Sequence, residues 1–397
     1  MEVIAGPQKV TQILENQMVI DMEAKSAWLD QDSYPFETLT RKVPGGIRNA
    51  TRMKHEFRER RLIPMTAQTT AIANAAATTI AVDDTTIFYT DQLIYCPTTG
   101  EMFSMAEDVG GTAVAGSITI RRLTTAAGTG LVTAIPAGSI LVNLGESHAE
   151  GEAIPASFAT QEETFYTYCY QFDRTRESTD IAGAEEKYGE SEVAKQRRQF
   201  WIEKKRELNM MMYLGQQTRE ILSGASGARR HVMRGLREYL DATAVDATTL
   251  VGGLTLHALG NMLRPTMAPG SSSMTKMGIC GQNAWSTISA YPDALVRIKP
   301  GADQTWGVTL AHLTTPFGNL DVTYDKMLSA EYGLAGDMYT LDMGYIYQIQ
   351  LQTKPLVMLT NRVNPTEIHT ERDVITGTRG LVVKLPELHR RIYGISL

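Results

Sequence analysis

Between Ser191 and Leu222 the chain has no proline, and Gly215 is its sole glycine. Glu, Lys, Gln, Arg, Met and Leu dominate, and their straight side chains lose little rotamer freedom on coiling. The stretch therefore predicts a long helix, with Ser191 as N-cap beside Glu192 and with Gly224 or Gly227 as the stop. Val193, Phe200, Trp201, Leu208, Met211 and Met212 fall on a narrow apolar stripe, and charged residues cover the remaining circumference. About thirty helical residues reach about 45 Å at ~1.5 Å per residue. Such a rod is too long for the interior of a compact domain and too charged for a bilayer. It is either a surface helix laid along a sheet or a spine whose charged flanks meet other subunits.

The chain of 397 residues is long enough for two or three domains. A net charge of −6 gives no overall drive towards nucleic acid. Cys96, Cys169 and Cys280 lie far apart without metal or redox spacing and read as reduced core thiols. The first residues lack the apolar core of a signal peptide, and no apolar run approaches the ~20 residues of a membrane span. A soluble, non-secreted product made in a cytosol is expected.

Residues 1–68 are polar, with helical possibilities at 10–20 and 21–29 and too little apolar surface for a core. An arm of this kind becomes ordered by lying on something else. Its basic run, Arg48, Arg52, Lys54, Arg58, Arg60 and Arg61, is a solvated face, a set of anchors for a neighbour's carboxylates, or a phosphate contact. From Thr69 to Ser147 short strand-like runs, TTIAVDD, DQLIYC, GEMFSM, SITIRRL and GSILVNLG, alternate with turns, predicting a small β-barrel or long twisted hairpin. Another strand is expected at 164–174, before the long helix. The region 250–350 alternates helices (LTLHALGNML; 283–291) with strands (276–280; TPFGNLDVTYDK; MYTLDMGYIYQIQL). Residues 351–397 return as strands that must complete a sheet begun earlier. The class is α+β.

Signatures of chemistry are nearly lacking. There is no P-loop, GxGxxG, HExxH or GxSxG, and the seven histidines never fall at ligand spacing. The carboxylate pairs Glu162-Glu163, Glu185-Glu186 and Asp83-Asp84 point in different directions on a helix or strand and read as solvated caps. No catalytic residue, cofactor or metal site is expected.

The order of parts, with the phrases 164–179, 203–214, Gly235-Leu236 and TPFGNLDV at 315–322, resembles the major capsid proteins of tailed bacteriophages with the Hong Kong 97-type fold. The resemblance spans the whole chain as an arrangement rather than as an invariant signature. It implies an N-terminal arm (1–68), an E-loop region with a β-barrel-like insert (69–147), a peripheral domain with the spine helix (148–249, helix about 191–222), an axial domain (250–350) and return strands completing the peripheral domain (351–397). It also implies a virion protein made in the host cytoplasm, assembled as hexamers and pentamers into an icosahedral shell. That shell encloses double-stranded DNA without sequence-specific binding, and portal, scaffolding and cement proteins are its partners.

Self-cross-linking members of that fold join an E-loop lysine to a neighbour's asparagine. Here no lysine lies between Lys54 and Lys187, so no such cross-link is expected. Nor is a strongly helical, charged N-terminal domain of the kind a protease removes expected. Arg58, Arg60 and Arg61 of the arm and Lys204, Lys205 and Arg206 of the spine are the expected inter-subunit contacts. Replacing the three arm arginines by alanine should weaken assembly without unfolding the subunit, which sedimentation and circular dichroism would check. The rival readings are an enzyme with a β substrate-recognition domain and a catalytic α/β unit at 250–350, or a phage tail or adhesin component.

Overall fold

The computed structural model describes residues 34–43, 45–75, 77–89, 91–106, 116–122, 133–147, 161–179, 192–221, 229–250, 253–267, 273–291, 296–297, 304–305, 308–309, 311–364 and 367–396. Residues 1–33 of the expected arm (1–68), with both of its helical possibilities, lie outside them. The chain forms two compact units, Met1–Phe57 with Phe165–Leu397, and Arg58–Thr164. Strands and helices are numbered in chain order. The boundary falls within a two-stranded ribbon of β2 (Lys54–Glu59) and β9 (Glu163–Tyr168).

The smaller unit is a six-stranded sheet in the order β3 (Thr66–Gln68), β8 (Ile140–Glu146), β5 (Gln92–Cys96), β6 (Glu101–Met105), β7 (Gly116–Arg122), β4 (Thr79–Val82). Its first and last strands meet through a Thr69–Val82 bridge, with the Asp83 amide donating to the Gln68 carbonyl (2.9 Å), so the sheet closes into a barrel. Inward-facing Ile80, Ile94, Phe103, Met105, Ile118 and Leu141 are fully buried. An open hairpin would have left unpaired edges for neighbours to cover. Closure satisfies them within the chain.

In the larger unit, α1 (Pro35–Lys42) and the spine helix α2 (Glu192–Leu214) accompany two sheets. One sheet runs β1 (Ile47–Ala50), β21 (Ile346–Leu351), β23 (Glu367–Val383), β10 (Tyr170–Thr179), with β22 (Val357–Asn364) also on β23. The other runs β13 (Val245–Asp246), β24 (Arg390–Tyr393), β20 (Met338–Leu341), β14 (Thr275–Cys280), β19 (Gly318–Tyr324), β18 (Ala311–Thr315), β15 (Val296–Arg297). Small ribbons pair β11 (Thr218–Ile221) with β12 (Arg229–Val232), and β16 (Gln304–Thr305) with β17 (Val308–Thr309).

One core joins Phe36, Phe172, Phe200, Leu208, Met212 and Tyr213 to Ile279, Tyr339 and Ile349, and so ties the spine to both sheets. A second core packs α4 (Leu256–Met267) and α5 (Gln282–Ser289) on the seven-stranded sheet through Leu259, Leu263, Ala284 and Ile288. The single turn α3 (Leu236–Tyr239) adds Leu236 and Tyr239 to the first core.

The spine helix covers 23 residues, about 34 Å, and ends eight residues before the expected Leu222. The cause is a close approach of two backbones. The Gly235 amide donates to the Gly215 carbonyl at 2.8 Å, and a Cβ on Gly235 would lie 2.5 Å from the Gly215 nitrogen. A Cβ on Gly215 would meet the Met211 and Met233 carbonyls at 2.6 and 2.7 Å. The chain then leaves as β11, while Gly224 and Gly227 lie outside the described residues.

The expected strand MYTLDMGYIYQIQL is two strands in two sheets. The break is built on Asp342, whose carboxylate accepts from Lys276 Nζ (2.8 Å), the Ser273 amide (3.0 Å) and the Gly344 amide (3.3 Å). Burial pushes that carboxyl up, but the Lys276 bond and the backbone donors outweigh it and hold it below its usual range. The Asp342 amide donates to His389 Nδ1 (3.0 Å), so Nε2 carries the proton and donates to the Lys384 carbonyl (3.0 Å). The return is likewise divided: β22 and β23 extend the five-stranded sheet, while β24 joins the seven-stranded one.

Burial lowers the His389 pKa from 6.5 to about 4, against the opposing pull of the Lys384 carbonyl. The unfolded chain therefore binds more protons between these values. The contribution, ~3 kcal/mol, is complete above pH 6.5 and is lost as pH falls to about 4. The urea midpoint of the dissociated subunit should fall across that window, and less steeply in His389→Gln.

Candidate assembly surfaces and the charged spine

The spine helix lies over β10 and β23 and is fixed there by charge. In the antiparallel register Arg176 faces Asp373 directly. The Asp373 carboxylate, 1% exposed, accepts from Arg176 Nη1 (2.7 Å) and from Arg197 Nε and Nη2 of the helix (2.8 and 3.1 Å). One buried anion thus joins two strands and the spine. Further along, Arg174 binds Glu207 (2.6 Å) and Glu203. At the far end Tyr213 Oη donates to Asp325 Oδ2 (2.8 Å). Burial raises the Asp325 pKa despite that bond and the Met327 amide.

The structure divides the six candidate contact residues. Lys204 is taken up within the chain: it is 4% exposed, its ammonium stands 4.5 Å from the Phe172 ring centroid and bonds Glu207 at 2.8 Å. Lys205 is half-buried at the edge of a cleft, and Arg206 is exposed and bonds Tyr332 Oη. In the arm, Arg58, Arg60 and Arg61 are exposed on successive positions around β2. Arg58 pairs with Glu162 (3.4 Å), and Arg61 with Glu163 (2.8 Å) and Glu59 (3.1 Å). Sequence reasoning took Glu162 and Glu163 for solvated caps. Their partners lie 104 and 102 positions away, and no local signal marks such a pairing.

The barrel presents a surface that sequence reasoning did not single out. With Leu141, Ile94 and Phe103 turned inward, their neighbours face out, and the register sets Met102 opposite Tyr95 and Tyr95 opposite Val142. Ile140, on the same face as Val142, is 47% exposed, and Met102 39%. Leu144, the extra residue of a bulge between the Leu93 and Ile94 pairings, is 50% exposed. Nearby in sequence, Leu62, Met65 and Ile72 are 93%, 64% and 69% exposed. The signal was available: ILV at 140–142 and LIYC at 93–96 are continuous apolar runs, the mark of strands with both faces covered.

Among the described residues no group of three or more His, Cys, Asp and Glu side chains is placed to hold a metal ion. None of the described helices is long and apolar enough to cross a membrane. The three cysteines are buried thiols, and burial raises the Cys169 pKa to about 11.

A search of curated proteins finds no match. Among solved structures, the chain is similar to the capsid of the empty GTA particle, with a TM-score of 0.49 at 7% identity, covering 96% of this chain and 97% of that one. It is also similar to the capsid of cyanophage A-1(L), with a TM-score of 0.47 at 10% identity, covering 96% and 98%. The SrpI encapsulin of Synechococcus elongatus PCC 7942 aligns with a TM-score of 0.41 at 10% identity, covering 60% and 78%. A family model described as the SU10 major capsid protein matches residues 8–396, taking in the barrel, the spine and both sheets, and the chain therefore belongs to the SU10 major capsid protein family.

Proposed function

We propose that copies of this chain self-assemble as hexamers and pentamers into the icosahedral head of a tailed phage. The head encloses double-stranded DNA without reading its sequence. No lysine lies between Lys54 and Lys187 to make a covalent E-loop link, and non-covalent contacts are the reading for what holds the shell. Arg58, Arg60, Arg61, Lys205 and Arg206 are the charged contributors, with Lys204 supporting the spine from within. Portal, scaffolding and cement proteins are the partners this reading brings with it.

The observation that carries the reading is the outer face of the barrel. A closed barrel that served only as a surface appendage would carry polar side chains there, whereas this one sets Met102, Tyr95 and Val142 in a cross-strand row with Ile140 on the same face. Covering the exposed half of each large apolar side chain contributes about 1 kcal/mol, repeated at every copy in a shell. The test is negative-stain microscopy and sedimentation of the purified chain beside Ile140→Asp/Met102→Asp. The wild-type chain should form closed shells, tubes, or rings of five and six. The variant should remain folded by circular dichroism and sediment as small species. Shells from the variant would remove the barrel face from the assembly surface, and a wild-type monomer at high concentration would remove the assembly reading itself.

A further inference from the structure

The register of the five-stranded sheet gathers positive charge around one ring. Tyr347 and Ile349 of β21 share a face; Arg48 of β1 stands opposite Ile349, and Val382 of β23 opposite Tyr347. Lys384, two residues past Val382, continues that face, its amide still donating to the Tyr345 carbonyl at 3.0 Å. The Arg48 guanidinium carbon lies 3.8 Å from the Tyr347 ring centroid, and the Lys384 ammonium 5.8 Å. His55 arrives from β2, edge-on to the same ring at 6.3 Å between centroids, with Nε2 3.5 Å from Tyr347 Oη. Tyr347 is buried, Arg48 is exposed, and His55 and Lys384 are half-buried, so solvent meets the cations and not the ring.

Among the described residues no carboxylate pairs with Arg48, His55 or Lys384. Arg48 Nε donates to a neutral acceptor, the Gly45 carbonyl (3.3 Å). Lys54 and Glu56, the neighbours of His55 along β2, turn to the other face and bond each other at 2.5 Å. Burial, then the charges of Lys384 and Arg48, hold His55 below its usual range, and no carboxylate pulls it back. The fold thus assembles positive charge from three elements without an internal counter-charge. A carboxylate has two oxygens, which one guanidinium fork already occupies. A phosphate brings more oxygens and more charge, and suits a guanidinium, an ammonium and an imidazole together.

We propose that Arg48, Lys384 and His55 form a phosphate-binding site over Tyr347, with Arg48 and Lys384 supplying the standing charge. An anion there offsets the repulsion that keeps the imidazole neutral, so His55 takes one proton from solvent as phosphate binds. The phosphate has two sources, the free ion and the backbone of a nucleic-acid duplex. The site lies within one subunit and stands apart from the shell reading.

The test is histidine-selective heavy-nitrogen NMR of the full-length dissociated subunit, in which the His55 signal is the one missing from His55→Gln. Inorganic phosphate at constant ionic strength should shift that signal saturably and raise its titration midpoint by about one pH unit. A short DNA duplex is the second arm. A response to the duplex assigns the site to backbone phosphate, and a response to inorganic phosphate alone assigns it to the free ion; either supports the site. Arg48→Gln and Lys384→Gln should each weaken phosphate binding several-fold with the circular dichroism unchanged, and either variant alone suffices. A His55 midpoint indifferent to both probes would overturn the proposal, as would a variant that folds and binds phosphate like the wild-type chain. So would acetate moving the midpoint as far as phosphate does, a result that gives the site to a carboxylate of a second copy.

Discussion

Asp373→Asn should destabilise the dissociated subunit by about 3–5 kcal/mol, the cost of leaving one member of a buried ion pair without its counter-charge. Asparagine keeps the shape but cannot serve two guanidinium groups. Arg176, whose side chain is 9% exposed, would be left charged and buried, and its Nη2 already has no partner among the described residues. Arg197, 32% exposed on the helix side, can turn to water, so Arg197→Ala should cost less than half as much. The double variant Asp373→Leu/Arg176→Met should recover most of the loss, because an apolar pair of similar volume avoids the desolvation that the ion pair repays. Urea titrations followed by circular dichroism give all four values. A cost below 1 kcal/mol for Asp373→Asn would mean that the spine is held by its apolar stripe alone.

The second large effect is expected at Lys276, an ammonium with a side chain 0% exposed on a central strand. Lys276→Met should also cost about 3–5 kcal/mol, because the buried Asp342 carboxylate loses its counter-charge and keeps only backbone donors. The pH dependence distinguishes this from simple misfit. In the wild-type chain the Asp342 pKa is held below its unfolded value, so its contribution is present above that value and lost as pH falls. In the variant burial still pushes the carboxyl up while the lowering pull of Lys276 is gone, so the charged form is disfavoured relative to the wild-type chain and protonation relieves part of the cost. The difference between the two chains should therefore shrink in acid, whereas a defect of packing would leave it constant.

Much of the architecture was legible because it depends on local pattern. The α+β class, the barrel strands and the helices at 256–267 and 282–289 each carry their own periodicity. The spine helix shows what pattern cannot supply. Residues 216–222 contain no glycine or proline, but the end is imposed by Gly235 arriving against Gly215, a contact between positions twenty apart. Likewise MYTLDMGYIYQIQL reads as one strand until Lys276 and His389, distant in sequence, turn Asp342 into a corner. For the candidate site, the basic residues were visible and their partners were not. Lys204 looks solvent-facing on a helical wheel, and only the Phe172 ring and Glu207 reveal it as buried. The barrel's outer face emerges only from the register, which sets Met102, Tyr95 and Val142 side by side on three strands.

The corner at Asp342 has a mechanical consequence. Met338–Leu341 belongs to one sheet and Ile346–Leu351 to the other, with four residues between them. A pull on either sheet therefore reaches the other along covalent backbone, in series, instead of through side chains that can slide. Both strands are flanked by ladder partners on each side, β14 and β24 in one case, β1 and β23 in the other. Tension entering the subunit at one sheet is thus spread over several rows of hydrogen bonds loaded in shear, the geometry in which strands resist separation best.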